Sequence, residues 1–444
     1  MFLVLDGVAF PHGVSDGITK AEASALLRKA RKRREKLLNK LQAAKTGAET
    51  KNAQHSYLGS ADVRFATMIA AAKRLPLKQR LSVYEYRLMA SQLDLTKPIV
   101  EDVFLRVKSK PSGGFRRYCE FGILHRTAQN IVADMLRPQF SPAEFQYDAP
   151  GRGVSSAVKA ARTLINGGHT YGRHLDIKSF FDKISHSFIE GPALKLEHGI
   201  KSAVLTGKHL SLVKAYPGNV DHLSVYTSEI ASAGIPQGSA TSPLVASILL
   251  SKLDLSNLPK GTTVLNYADD FLLMANEEHK LEAGSDALQA ALTALSAGDL
   301  LLVEKSTQTS PGSFIYLGHR FEILPTGEVS VTVSNSSLNA FNTSVSQKAE
   351  TLKAEAKQLV KLTGIELSSP IHHAELERMA SRLAVWIKSW LAAFSEADNI
   401  GDLEEDFFAD VVVICEDVGL TNAEEIWASA KATVALTYDE IIAS

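Results

Sequence analysis

Three features of the 444-residue chain predict an α+β fold. The apolar runs Thr263-Val264-Leu265 and Phe271-Leu272-Leu273-Met274 flank Tyr267-Ala268-Asp269-Asp270, the pattern of two strands joined by an acidic turn. Near the amino terminus, Thr19 followed three residues later by Glu22 makes a capping box, which opens a helix with Leu26, Leu27, Leu37, Leu38 and Leu41 at apolar positions. After residue 335 the chain turns rich in Ala, Leu, Lys and Glu, with long helical periodicity and no strand-like alternation. Strands in the middle and helices at both ends give the class.

The first segment, residues 1–95, reads as a helical, basic extension. Eight basic residues fall between Arg28 and Lys40, among them Arg28, Lys29, Arg31, Lys32, Arg33 and Arg34. A helix so charged presents cations to phosphates and suits a structured RNA, recognised through phosphates and shape; the alternative is a solvated surface helix. The net charge of −1 conceals this, because residues 401–444 hold eleven acids and one base, Lys431, leaving 47 bases against 38 acids in the rest. A hydrophobic content of 45% with 22% charge describes an ordinary globular protein. The opening Met1-Phe2-Leu3-Val4-Leu5-Asp6 lacks a basic leader, and no apolar run reaches membrane-spanning length. A cytoplasmic protein with no membrane partner is expected. Cys119 and Cys415 cannot make a zinc cluster by themselves and are expected as buried, reduced thiols.

The middle of the chain holds the chemistry. A turn between two strands puts Asp269 and Asp270 where at least one can reach a cation that also grips triphosphate oxygens. Upstream, the strand end in His174-Leu175-Asp176-Ile177-Lys178 supplies a third carboxylate, and hard cations held close together need several such oxygen ligands. Phe181 follows Asp176 by five residues; it reads either as a ring under the sugar of an incoming nucleotide, excluding a 2′-hydroxyl, or as ordinary core packing. Gly234-Ile235-Pro236-Gln237-Gly238 forms a tight loop ahead of the apolar helix Leu244–Leu250, and its glycines permit close approach to a nucleic-acid strand. In this order the three segments read as the centre of a template-copying polymerase.

From about residue 100 to 320 the chain resembles bacterial reverse transcriptases. Lys110-Pro111-Ser112-Gly113-Gly114-Phe115-Arg116 looks like the fingers hairpin in which a Lys and an Arg hold the triphosphate; Leu302-Val303-Glu304-Lys305-Ser306 resembles a later motif whose lysine lies near the nucleotide; and Phe314-Ile315-Tyr316-Leu317-Gly318-His319 resembles the hairpin that grips the primer. His125-Arg126 and Asp148-Ala149-Pro150-Gly151-Arg152 depart from the intron-encoded pattern, Ser242-Pro243 departs from diversity-generating retroelements, and Val331-Thr332-Val333 comes only partway to a retron signature. Defence-associated reverse transcriptases remain the nearest group, with retron or group II intron-type enzymes as the alternative.

The resemblance implies a right-hand layout: fingers over 96–172, a palm of antiparallel sheet with helices over 173–334, a helical thumb over 335–400 and an acidic helical segment over 401–444. It implies RNA-directed synthesis of cDNA from dNTPs on an RNA template, expected to be a noncoding RNA, with a DNA primer or product and a role against phage. Asp176 with its neighbour Ile177, Asp269 and Asp270 would hold two Mg²⁺ ions, for which Mn²⁺ can substitute. Lys110 and Arg116 would clamp phosphates, and Gln237 and Gly238 would contact template and nucleotide. Lys305 is a candidate proton donor to pyrophosphate, and Tyr316, Leu317 and Gly318 would grip the primer. A different class, an inactive palm serving as an RNA-binding or assembly module, is disfavoured by three intact carboxylates. An intron maturase should carry a nuclease appendage, and His372, His373 and Glu375 lack partners at metal spacing and read as helix-surface residues. In the thumb, Leu383, Ile387, Trp390 and Phe394 form one apolar stripe, with Trp386 off it, and Asn399-Ile400-Gly401 reads as a polar linker before a final helix containing Val411-Val412-Val413-Ile414.

Overall fold

The structure is a computed structural model that describes residues 2–5, 8–13, 17–109, 115–215, 220–308, 312–363 and 370–432. It begins with a hairpin rather than a helix. Strands β1 (Phe2–Leu5) and β2 (Val8–Pro11) pair antiparallel, from Phe2 opposite Pro11 to Leu5 opposite Val8. Residues 1–95, expected as a helical extension with a helix opening near Thr19, also carry this hairpin ahead of their helices. Leu3 and Leu5 alternate inward and Phe10 is fully buried, edge-on to Tyr86 at 6.3 Å, so these short runs gain stability from packing that no local pattern announces.

Helices α1 (Lys20–Ala43), α2 (Gly47–Leu58), α3 (Ala61–Ala72) and α4 (Val83–Gln92) follow. The Thr19–Glu22 capping box is present, and the same device starts α2 at Thr46–Glu49 and α4 at Ser82–Glu85. Leu27, Leu37 and Leu41 are buried as the periodicity requires, with Leu26 and Leu38 packed at the margin.

Strands β3 (Asp102–Ser109) and β4 (Phe115–Glu120) pair antiparallel and lead to α5 (Ile123–Leu136) and α6 (Val154–Asn166). Then come β5 (Tyr171–Ile177), the short helices α7 (Phe180–Lys183), α8 (His186–Glu190) and α9 (His198–Ile200), a π-helical turn at Lys201–Leu205, β6 (Ser211–Lys214), α10 (Val220–Ser232) and α11 (Ser242–Leu250). Strand β6 joins β3 in parallel, so the β4-β3-β6 sheet draws on chain from both sides of the boundary placed at residue 172.

The hairpin β7 (Thr262–Tyr267) and β8 (Asp270–Ala275), helix α12 (Lys280–Ala294) and β9 (Leu302–Gln308) complete a second sheet, ordered β7-β8-β5-β9 and antiparallel throughout. Successive side chains of a strand point to opposite faces. Val264, Phe271 and Leu273 accordingly enter the core shared with α1 to α5, while Leu265, Leu272 and Met274 enter a second core with α6 and the three-stranded sheet of β10 (Gly312–Tyr316), β11 (His319–Ile323) and β12 (Val329–Val333). Burial on both faces is why Phe271–Met274 is uninterruptedly apolar.

Four helices end the described chain: α13 (Asn335–Thr363), α14 (Pro370–Ala393), α15 (Ile400–Asp417) and α16 (Ala423–Ser429). They share one core. Phe341 stacks between Trp390 at 4.1 Å and Trp386 at 4.6 Å, so Trp386, read from its spacing as lying off the stripe, is also interior; the second layer of helices widens the buried face beyond one stripe. The expected linker is pinned: Asn399 Oδ1 accepts from Val333 N–H at 3.0 Å, and Asp398 accepts from Val331 N–H and pairs with Arg162. Cys119 and Cys415 are buried free thiols. No described helix is long and apolar enough to cross a membrane.

The surface assignment of His372 and Glu375 is also corrected, since their exposures are 1% and 2%. Glu375 lies between Arg80 at 2.9 Å and Arg378 at 2.6 Å, and Arg80 in turn donates to Ala9 O at 2.9 Å, tying the first hairpin and the α3–α4 turn to α14. Both guanidinium groups hold the Glu375 carboxyl below its ordinary range against the opposing effect of burial. Its more deeply buried partner, Arg80, is 295 residues away, beyond any reading of local spacing. Replacing Glu375 with Ala leaves the Arg80 guanidinium buried and uncompensated, and urea unfolding should show a loss of about 3–5 kcal/mol. A loss below about 1 kcal/mol, the scale of a surface pair, would mean that the ion pair contributes little.

Candidate active site

The β5–β8 ladder pairs Asp176 directly with Asp270. Tyr267 opposes Asp270 across the β7–β8 hairpin, leaving Ala268 and Asp269 as its two-residue turn. Ala268 adopts φ 54°, in the left-handed region, at a cost of about 1–3 kcal/mol for a residue with a Cβ. Asn266, fully buried in β7, offsets that strain: its Nδ2 donates to Ala268 O at 2.8 Å and to Asp270 O at 3.2 Å. Ile177 N–H donates to Asp269 O at 3.2 Å, so the turn is also tied to β5.

A cation sits among these acids. Lys305, on β9, places Nζ 2.6 Å from Asp270 Oδ1 and 3.3 Å from Asp176 Oδ1, and the negative charge of Asp269 also acts on it. Burial acts to lower the pKa of the ammonium, but the three carboxylates outweigh it and raise that pKa. The acids respond differently. Burial pushes Asp176 up, only partly countered by Lys305, while Asp270 stays below the ordinary carboxylate range because bonds from His174 and Lys305 outweigh its burial. His174 Nε2 donates to Asp270 Oδ1 at 3.1 Å.

Among the described residues, no three His, Cys, Asp or Glu side chains are arranged to hold a metal ion as they stand. The donor chemistry nevertheless fits one. Three carboxylates acting on a single positive charge offer the hard oxygen ligands that Mg²⁺ takes. Ile177 could join such a site only through its backbone, since its side chain is 1% exposed.

The loop before α11 links helix α7 to strand β4. Ile235 N–H donates to Phe181 O at 2.8 Å, and Cys119 N–H on β4 donates to Gln237 O at 2.8 Å. Gly238 has φ +95°, and a Cβ there would stand 2.4 Å from Cys119 O, so only glycine lets the loop close on the strand.

Residues 108–321 match the model of the family described as reverse transcriptase (RNA-dependent DNA polymerase). The chain carries a reverse transcriptase domain. The enzyme is therefore an RNA-directed DNA polymerase, a nucleotidyltransferase acting on an RNA template, a primer and dNTPs, and members of this family use divalent metal ions.

Within this reverse transcriptase, the site residues expected from the sequence fall into three groups. Asp176, Asp269, Asp270 and Lys305 come together as described. Phe181, half-buried and edge-on to Phe180 at 5.8 Å, sits beside the Gly234–Gly238 loop, and Arg116 is exposed on β4 opposite Lys108. Lys110 lies outside the described residues. Around the β10–β11 turn, Tyr316 is fully buried and Leu317 nearly so, with Leu317 at φ 47° and Gly318 at φ 76°; side-chain contact with a primer is closed to the first two. Of the basic helix, Arg28, Lys29, Arg31, Lys32 and Arg33 are exposed, but Arg34 pairs with buried Asp134 at 2.6 Å, beside Tyr57 and Arg137, and anchors α1 to α5.

Two site residues escaped the sequence reading, His174 and Asn266. Signals for both existed: His174 is two residues before Asp176 and so shares its strand face, and Asn266 is an amide inside an apolar strand.

Gly238→Ala should lower stability by about 1–3 kcal/mol from the backbone alone, with the clash on Cys119 O added. Gly327→Ala, at φ +85° in open space, carries only the backbone term. Thermal melts of both should show the larger loss at Gly238, with kcat/KM for dNTP reduced only there. Equal losses and unchanged kinetics would detach the loop from the site.

Proposed function

We propose that this enzyme synthesises cDNA on a structured noncoding RNA, held by the exposed basic face of α1, and that it serves bacterial defence against phage. The observation that carries the polymerase chemistry is the convergence of three carboxylates on one cation. The fingers, palm and thumb layout is part of the proposal, with the four-stranded sheet as palm and α13 and α14 as thumb. A retron or group II intron-type enzyme is the alternative reading.

Two Mg²⁺ ions, or Mn²⁺ in their place, would be held by Asp176, Asp269 and Asp270, and would supply activation of the primer 3′-hydroxyl and neutralisation of triphosphate charge. The chain's own residues do the rest by alignment. The paired strands keep Asp176 and Asp270 opposite each other, and Asn266 holds the turn that presents Asp269. Lys305, whose ammonium is favoured by its acidic neighbours, would neutralise or protonate departing pyrophosphate. Arg116 and Lys110 would clamp phosphates, the ring of Phe181 would exclude a 2′-hydroxyl, and Gln237 and Gly238 would border template and nucleotide. Any primer grip at 316–318 would work through backbone and Gly318, given the burial of Tyr316 and Leu317.

Asp269→Asn should abolish dNTP incorporation in a primer-extension assay with Mg²⁺ while leaving the melting temperature and RNA affinity nearly unchanged. Activity near wild type would end the metal assignment.

The RNA-binding face is tested by replacing Arg31, Lys32 and Arg33 with Gln while keeping Arg34, which anchors Asp134. RNA affinity should fall, and the slope of log affinity against log salt should shrink by roughly 0.7 for each single-stranded phosphate that the helix no longer neutralises. Extension on a generic annealed primer–template should survive. An unchanged slope with the copurifying RNA would place RNA binding elsewhere.

A further inference from the structure

His174 has a defined place that the polymerase chemistry above does not use. It stands opposite Leu272 in the β5–β8 ladder, one alternation away from the Asp176–Asp270 pair, so its ring lies on the same face as both acids and diagonal to Asp270. Its side chain is 13% exposed. One side of the ring is fixed by packing, because the fully buried Tyr316 meets it edge-to-face at 5.7 Å and 89°. On the other side Nε2 reaches Asp270 Oδ1 at 3.1 Å.

Lys305 Nζ takes that same oxygen at 2.6 Å. Two donors from two different strands thus meet on one oxygen of one carboxylate. Asp270 begins β8 at the edge of a two-residue turn, where the strand pairing fixes its backbone but not the torsions of its carboxylate. Held by one oxygen from both sides, it keeps a single orientation. The two donors differ in kind: Lys305 is a long, half-exposed side chain whose end can swing away, whereas the imidazole is short and braced by an aromatic ring.

We infer that His174 is a positioning residue of the active site: its Nε2–H grips Asp270 by Oδ1 and keeps the opposite oxygen, Oδ2, turned toward an incoming divalent cation. The inference rests on the proposed reading of Asp270 as a metal ligand. Tyr316, buried in the core of α6 and the β10–β12 sheet, backs the imidazole with its ring. Hydrogen-bond partners of a ligating group commonly change metal affinity about 10–100-fold when removed.

The test uses the full chain and Mn²⁺ alone, read by electron paramagnetic resonance of free and bound ion without nucleotide or primer, alongside the half-saturating Mg²⁺ concentration for incorporation. His174→Phe keeps a ring against Tyr316 and removes the donor; His174→Gln keeps an N–H donor at similar reach. The inference predicts that the Phe variant binds Mn²⁺ about tenfold more weakly, needs correspondingly more Mg²⁺ and keeps its KM for primer–template, while the Gln variant stays within about threefold of wild type. Metal-free melting temperatures report whether either variant is merely unfolded. Asp270→Asn is the reference: if it too leaves Mn²⁺ binding unchanged, the metal reading of Asp270 fails and takes the inference with it. If Asp270→Asn abolishes binding but His174→Phe does not weaken it, the positioning role alone is overturned. Equal weakening in the Phe and Gln variants overturns it as well, because ring packing would then be the whole effect.

Discussion

The pairing of β5 with β8 sets everything else at the active site. Its register puts Asp176 opposite Asp270, and a slip of one residue would send one of the two acids into a hydrophobic core. The slip is prevented from both faces at once, because Phe271 and Leu273 fill one core and Leu272 and Met274 fill another. Catalytic geometry and hydrophobic burial are therefore specified by the same alternation.

Carboxylates gathered in this way repel one another by an amount on the order of a few kcal/mol at an effective dielectric near ~20. The chain answers with Lys305 from the neighbouring strand β9 and with the imidazole of His174, so the acids can coexist before substrate arrives. The two acids are unequally served: Asp270 takes hydrogen bonds from both donors and is shifted down, whereas Asp176 takes one only from the ammonium and is pushed up by burial. Strain at Ala268 is met within the same turn, since Asn266 holds both carbonyls that the left-handed residue would otherwise leave exposed to the core.

Remote parts of the chain support this centre through a few buried ionic contacts. Asp134 fastens α1 through Arg34, so the remaining basic residues of that helix are presented from a fixed base. Glu375 binds Arg80 and Arg378, joining the first hairpin and the amino-terminal helices to α14. The loop at Gly234–Gly238 does comparable work at short range, linking the β4 strand to the backbone of Phe181.

The α+β class, the acidic hairpin, the capped basic helix and the helical carboxy-terminal part were all legible in the sequence, because each rests on local periodicity or on turn and cap chemistry. So were Asp176, Asp269, Asp270 and Lys305, whose motifs are short and contiguous. What stayed hidden depends on partners far apart in the chain. The β1–β2 hairpin is too short to declare itself without Tyr86; Trp386 is interior only because a second layer of helices covers it; and Glu375 looks like a surface residue until Arg80 is brought beside it. Arg34 belongs to the basic run by sequence and to a buried ion pair by structure, and His174 becomes a partner of Asp270 only when β5 and β8 lie side by side. Local sequence determined which elements form and which chemical groups they carry; tertiary packing decided which of those groups meet, because burial turns a distant charge or hydrogen-bond donor into an obligatory partner.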